Sequence, residues 1–325
     1  MKIIYRFSKH FSADDVSFMK NNGYNVNSGF DVVLIPKEDS NFLKIKDRFG
    51  DDGLAMPEIT YTKKELESAS FLKIYAKKYL GYAKPDDEDE VDDFEYPFDI
   101  YPYYKGVFEI AKTDPEYGVL RGRQIGNYQM KGKPKWGTSQ IASLWGAEDS
   151  FFTTPEVYQE VFKPLGIQSI PVINYSNKEI QTEIVQILQQ GVSKSKLNIT
   201  NHHIKEAITV QNFGITKYVM DGGVPPPAFV DSPRDMDFFY TQEYFGSGGF
   251  TQRSTIISNK LYNILQEKKI KGLNYAPLMK SSSSESIFLS EKEEGSGTRT
   301  FRGKTYTQEE WEAFEKQQWE KYKGK

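Results

Sequence analysis

The chain reads as an α+β protein, with mixed and antiparallel sheets, short flanking helices and two lobes. Short runs rich in β-branched and aromatic residues, such as KIIYRF at 2–7 and DVVLIP at 31–36, have strand character. The helices signalled between such runs are brief and sharply capped, and no segment repeats another. The 325 residues suffice for one large domain or two ordinary ones, and an aromatic content of 14% supplies ample core.

Taken in order, Ser12 caps a helix through ADDVSFMKNN, with Asp14 and Asp15 in its first turn and Gly23 as its stop. Thr62 and Glu65 form a capping box for a second helix. The FLKIYA that follows either continues that helix or opens a strand. Residues 84–95 are an acidic loop. Asp86, Asp87, Glu88, Asp89, Glu90, Asp92 and Asp93 repel one another, so the run is either a solvated surface or a field that steers a basic partner.

Thr154 and Pro155 open another helix on the Val157, Val161 and Phe162 face, closed by Lys163, Pro164 and Gly166. QSIPVINY reads as a strand, and EIQTEIVQILQQ as a longer strand or helix. The three prolines of DGGVPPPAFVDSP stiffen a loop. DFFYTQEYF reads as a strand, a helix follows Ser258, Gly272 stops it, and LNYAPL returns as a strand. The organisation expected is an N-terminal lobe at 1–145, a C-terminal lobe at 146–280, a linker at 281–304 and a helix at 305–325. That helix opens on the Thr307 and Glu310 capping box, and its aromatic stripe docks on its own chain or on a partner.

Composition narrows the function classes. Without cysteine there are no disulfides, thiol nucleophiles or thiolate metal sites, in keeping with a reducing, cytoplasmic setting. The net charge of −3 offers no general attraction for nucleic acid or an anionic membrane. The opening MKIIYRFSKHF is interrupted by Arg6 and Lys9 and does not read as a secretory signal, and no apolar run is long enough to span a bilayer. His202 and His203 are adjacent, so on a strand or helix they point apart, and His10 stands alone. No metal and no cofactor are expected.

The glycine cluster EYFGSGGF raises the question of a phosphate loop. Gly246, Gly248 and Gly249 lack the lysine and spacing of a P-loop, and the third glycine of a dinucleotide fingerprint is misplaced. A sharp structural turn with glycines at positive φ is the expectation.

Several segments resemble bacterial polymorphic-toxin immunity proteins and their relatives that carry two CxxCG motifs. The similarity runs unevenly over residues 61–278 and is closest in RSTIISNKLYNILQEKKIKGLNYAPL, where a strand ends in Ser before a short helix, a Gly and a final strand. EYFGSGG, YTKKELESASFL and TTPEVYQEVFKPLGI add to it. Where those relatives carry the second CxxCG, this chain has VQNFGITKY, with Val210 and Phe213 in place of the thiols. The first motif maps to the region between Tyr101 and Gly122, also without Cys. The resemblance implies that apolar packing replaces a zinc knuckle, and that the chain is a non-catalytic cytoplasmic protein neutralising a cognate toxin. An enzyme, a hydrolase or transferase with its site at Arg253 and the 245–253 loop, is the alternative. An accessory protein is a third reading, and the negative charge disfavours one that acts on nucleic acid.

Overall fold

The computed structural model describes residues 1–49, 55–84, 104–114, 116–200, 203–233 and 235–279, the strand pair at 298–301 and 304–307, and residues 310 and 313. The fold is α+β. At the N-terminus, β1 (Lys2–Phe11) is the centre of an antiparallel sheet between β2 (Gly29–Pro36) and β3 (Ala55–Thr60). Alternation along β1 turns Phe7 and Phe11 to one face, where α1 (Ala13–Asn21) and α2 (Phe42–Phe49) bury Met19, Phe42 and Ile45 against them. Ser12 and Asp15 form a full capping box, and Lys9 and Arg48 converge on the same Asp15 carboxylate at 3.3 and 3.2 Å.

Thr62 and Glu65 cap α3 (Lys63–Ser68), and the chain then enters β4 (Phe71–Ala76) as a strand. Next come β5 (Tyr79–Lys84), the hairpin of β6 (Phe108–Asp114) and β7 (Gly118–Gln124), β8 (Gln129–Met130), β9 (Ile141–Trp145) and β10 (Ala147–Thr153). The helix capped by Thr154 is one short α-turn, α4 (Pro155–Val157), running on as a π-turn (Tyr158–Phe162) and a 3-10 turn (Lys163–Leu165). After it, β11 (Ser169–Asn174) and β12 (Ile180–Ile187) are both strands.

Six of these strands close a barrel in the order β10-β12-β11-β8-β5-β9. Its interior is filled by Leu80, Tyr128, Leu144, Phe152, Val172 and Ile184, and the β6–β7 hairpin adds Phe108 and Val119. The remaining strands are β13 (Ile204–Val210), β14 (Ile215–Met220), β15 (Phe238–Phe245), β16 (Gln252–Ser258) and β17 (Leu273–Pro277). With β4 they make a mixed sheet, β13-β14-β15-β16-β4-β17, parallel only between β14 and β15. Helix α5 (Asn259–Glu267), capped by Ser258, packs on one face of it.

The strands do not follow a division at 145/146. β9 and β10 lie on either side of that point and pair with each other in the barrel, while β4 from the first part of the chain sits inside the sheet of the second. One continuous core joins barrel residues Ile141, Phe151 and Ile187 to sheet residues Leu72, Phe238 and Ile257 and to Leu261 and Leu265 of α5. Gly272 sits at this seam with φ +125°, and a Cβ there would meet the Ile141 carbonyl oxygen at 1.8 Å. It therefore serves the approach of the barrel strand and not, as expected, the end of the helix, which stops at Glu267 with Lys268 as its cap and Lys269 at positive φ.

The segments expected as a linker and a C-terminal helix fall mostly outside the described residues. Where they are described, β18 (Thr298–Phe301) and β19 (Lys304–Thr307) pair antiparallel. Strand pairing thus interrupts the expected 281–304 linker, and Thr307 closes a strand where a helix cap was expected. Among the described residues no helix is long and apolar enough to cross a membrane.

Candidate functional site

A cleft of about 540 Å³ opens where β15 and β16 meet the β6–β7 hairpin and the segment after β12. Three arginines, Arg121, Arg123 and Arg253, line it, and no acidic side chain among the described residues does. Arg121 lies over the rings of Tyr104 and Phe108, each 4.6 Å from the guanidinium carbon, and pairs in bidentate fashion with Asp149. Both partners are nearly buried, so Asp149 supplies the countercharge that such burial demands. Arg123 pairs with Glu109 at the exposed edge. Arg253 stacks on Tyr244 at 4.2 Å and donates to the Thr241 and Gln242 carbonyls and to the Tyr244 hydroxyl.

The glycine loop borders this cleft, and its chemistry is opposite to that of a phosphate cradle. Lys217 on β14 is fully buried, and its ammonium donates to the carbonyl oxygens of Gly248 and Phe250. A phosphate loop directs N–H groups inward, whereas this loop directs carbonyls toward a cation. Burial pushes the Lys217 ammonium down to about 8, partly opposed by the charges of Glu116, Asp114 and Glu206. Gly246 and Gly248 have φ of +127° and +52°, while Gly249 is outside that region.

Two segments singled out by the resemblance meet in space. Val210 ends β13, Phe213 lies in the turn to β14, and both pack on Leu120 of β7 in one apolar cluster. Lys112 of β6 donates to the Phe213 carbonyl at 3.1 Å, tying the two hairpins together. The region assigned to the first Cys motif thus faces the region assigned to the second. Among the described residues no group of three or more His, Asp or Glu is placed to hold a metal ion. His202 lies outside the described residues. His203 is buried with its Nδ1 against the Thr200 hydroxyl at 2.8 Å, and His10 sits edge-on to Phe30.

On the outer wall of the barrel, Trp145 stacks with Tyr79 at 4.6 Å and Tyr82 at 6.3 Å between ring centroids. Trp145 is 49% and Tyr82 60% exposed, which is unusual for side chains of such apolar area. β5 and β9 run parallel here, with Tyr79 opposite Ser143 and Tyr82 opposite Trp145, and that register brings the three rings together. Sequence reading passed over this triad, because no spacing rule links residues 79 and 82 to 145. The Arg121–Asp149 pair, 28 residues apart, escaped it for the same reason.

A second groove, of about 720 Å³, lies between β3, the outer face of β4 and β16, and the triple-proline loop. Lys73 projects into it over the rings of Tyr75 and Phe245. The acidic residues Asp86 to Asp93 lie outside the described residues.

No protein-family model matches the chain. No curated protein and no solved structure matches it significantly.

Proposed function

We propose that the chain is a non-catalytic binding protein of the bacterial cytoplasm that neutralises a cognate protein toxin by covering it. The observation that carries this reading is the exposed stack of Tyr79, Trp145 and Tyr82. Tryptophan and tyrosine dominate the energetic centres of protein interfaces, and three rings held by two barrel strands lose little freedom on docking. The acidic run adds to it: seven carboxylates within residues 86–93 would steer a basic partner. The resemblance over residues 61–278 supports the same reading.

The strongly held ionisable groups of the interior serve the fold. Asp149 neutralises Arg121, and Lys217 is turned into the glycine loop. Lys217 has the lowered proton affinity of a nucleophilic lysine, but with no exposed surface it reaches no substrate.

The test takes the products of the genes beside this chain's own and looks for one that is toxic when expressed alone. Co-expression should protect cells, and the purified chain should bind that protein stoichiometrically. Trp145→Ala should weaken binding by about 2 kcal/mol or more through faster dissociation. Converting Asp86, Asp87, Glu88, Asp89 and Glu90 to Asn or Gln should slow association and flatten its salt dependence. Absence of both protection and binding would overturn the proposal.

A further inference from the structure

Of the three guanidinium groups on the 540 Å³ cleft, two are ion-paired and one is not among the described residues. Arg121 has Asp149 and Arg123 has Glu109. Arg253 has no ion pair among the described residues; Glu243, which feels its charge, accepts instead from the Leu197 N–H. An arginine carries five N–H donors, and the Thr241 and Gln242 carbonyls and the Tyr244 hydroxyl take three. The Nε–H and one Nη2–H remain.

Two residues earlier, Thr251 lines the same cleft. It is only 7% exposed, and among the described residues its hydroxyl has no hydrogen-bond partner. A buried hydroxyl left unpaired costs about 1–3 kcal/mol, so its retention at the wall of a cleft needs a reason. The loop that places it is held from behind by Lys217 through the Gly248 and Phe250 carbonyls. Tyr240, Tyr244, Leu120 and Val192 give the same cleft an apolar wall.

We propose that Arg253 and Thr251 form an oxyanion subsite for a small molecule with a carboxylate or phosphate at one end and an apolar or aromatic body. The two remaining Arg253 donors and the Thr251 hydroxyl meet the oxyanion, and the tyrosine and aliphatic wall takes the body. The cleft volume lies in the range that encloses such ligands. The cation is pre-positioned by stacking on Tyr244, so little ordering is needed on binding. The subsite is independent of the toxin-binding reading and stands on different residues.

The probes are benzoate, phenyl phosphate and the neutral benzamide, titrated by calorimetry into the full chain at up to about 10 mM. At least one of the two anions should bind saturably, and benzamide should not. Preference between the anions assigns the carboxylate or the phosphate as the physiological headgroup, and either supports the subsite. Thr251→Val removes only the unpaired hydroxyl. It should raise the urea midpoint of the free chain and weaken the anion about fivefold or more. Arg253→Lys keeps the charge, loses the planar fork and should weaken binding further. Equal binding of benzamide, no binding of either anion, or unchanged affinity in Thr251→Val would overturn the proposal.

Discussion

The ammonium of Lys217 donates to the carbonyl of Gly248, joining the middle of one strand to a loop that the sequence offers as a nucleotide cradle. The loop is filled from within by the protein's own cation, and this relationship sets its conformation. It also makes stability depend on pH. The folded-state Lys217 holds its proton less tightly than the unfolded chain, losing it near pH 8 rather than near 10.5. Between those values the unfolded state binds more protons, so stability rises with pH. Below about pH 8 the burial penalty is present in full. Urea midpoints should climb between pH 7.5 and 9.5 in the parent, and the climb should vanish in Lys217→Met. Above pH 9, where the parent is relieved of the penalty, that variant should be less stable by about 1–3 kcal/mol, since the two carbonyls lose their donor. At pH 7 the loss should be smaller, because removing the buried charge offsets it.

Gly246→Ala should be the most damaging alanine substitution in the glycine cluster. Its φ is +127°, and the new Cβ would meet the Phe250 carbonyl oxygen at 2.4 Å. We expect a loss of about 2 kcal/mol or more, against a smaller one for Gly249→Ala. Chemical denaturation of the two variants gives the comparison. Equal losses would show that the backbone at Gly246 is not constrained.

Asp149→Ala should destabilise by about 3–5 kcal/mol, because it leaves the Arg121 guanidinium nearly buried without its countercharge. A double variant with Arg121→Met should recover most of that loss, the long apolar side chain packing on Tyr104 and Phe108. A double-mutant cycle reads the coupling directly. Failure of the second substitution to rescue would mean that the pair does more than neutralise itself.

Phe213→Ala should cost about 3–5 kcal/mol, the loss typical of truncating a buried aromatic ring. The ring packs on Leu120 and Val210, so Phe213→Leu should lose much less. A change in Phe213→Ala within about 0.5 kcal/mol would remove the idea that apolar packing fastens the two hairpins.

Local chemistry was legible in the chain itself. The caps at Ser12, Thr62, Thr154 and Ser258 announce their helices, since a side-chain oxygen three residues before an N–H acts without tertiary help. Strand runs such as DFFYTQEYF announce β15. Non-local pairing was not legible. β4 leaves the N-terminal part to pair with β16 and β17, and β9 pairs with β10 across the expected boundary, because sheet hydrogen bonds recognise backbone and register rather than residue type.

The sequence by itself determined the fold class, the helix starts after Ser12, Thr62, Thr154 and Ser258, the absence of thiol chemistry and the unfitness of the 246–249 glycines for a P-loop. Tertiary structure alone decided where charge and aromatic surface gather. It set Lys217 behind the glycine loop, closed Arg121 onto Asp149, left Arg253 without an ion pair and the Thr251 hydroxyl without a partner among the described residues, and stacked Tyr79 and Tyr82 on Trp145. Each of these meetings joins side chains brought together by barrel closure, sheet pairing or the folding of a loop. Their physical cause is the burial of a shared core, a property of the whole chain that no local run of residues encodes.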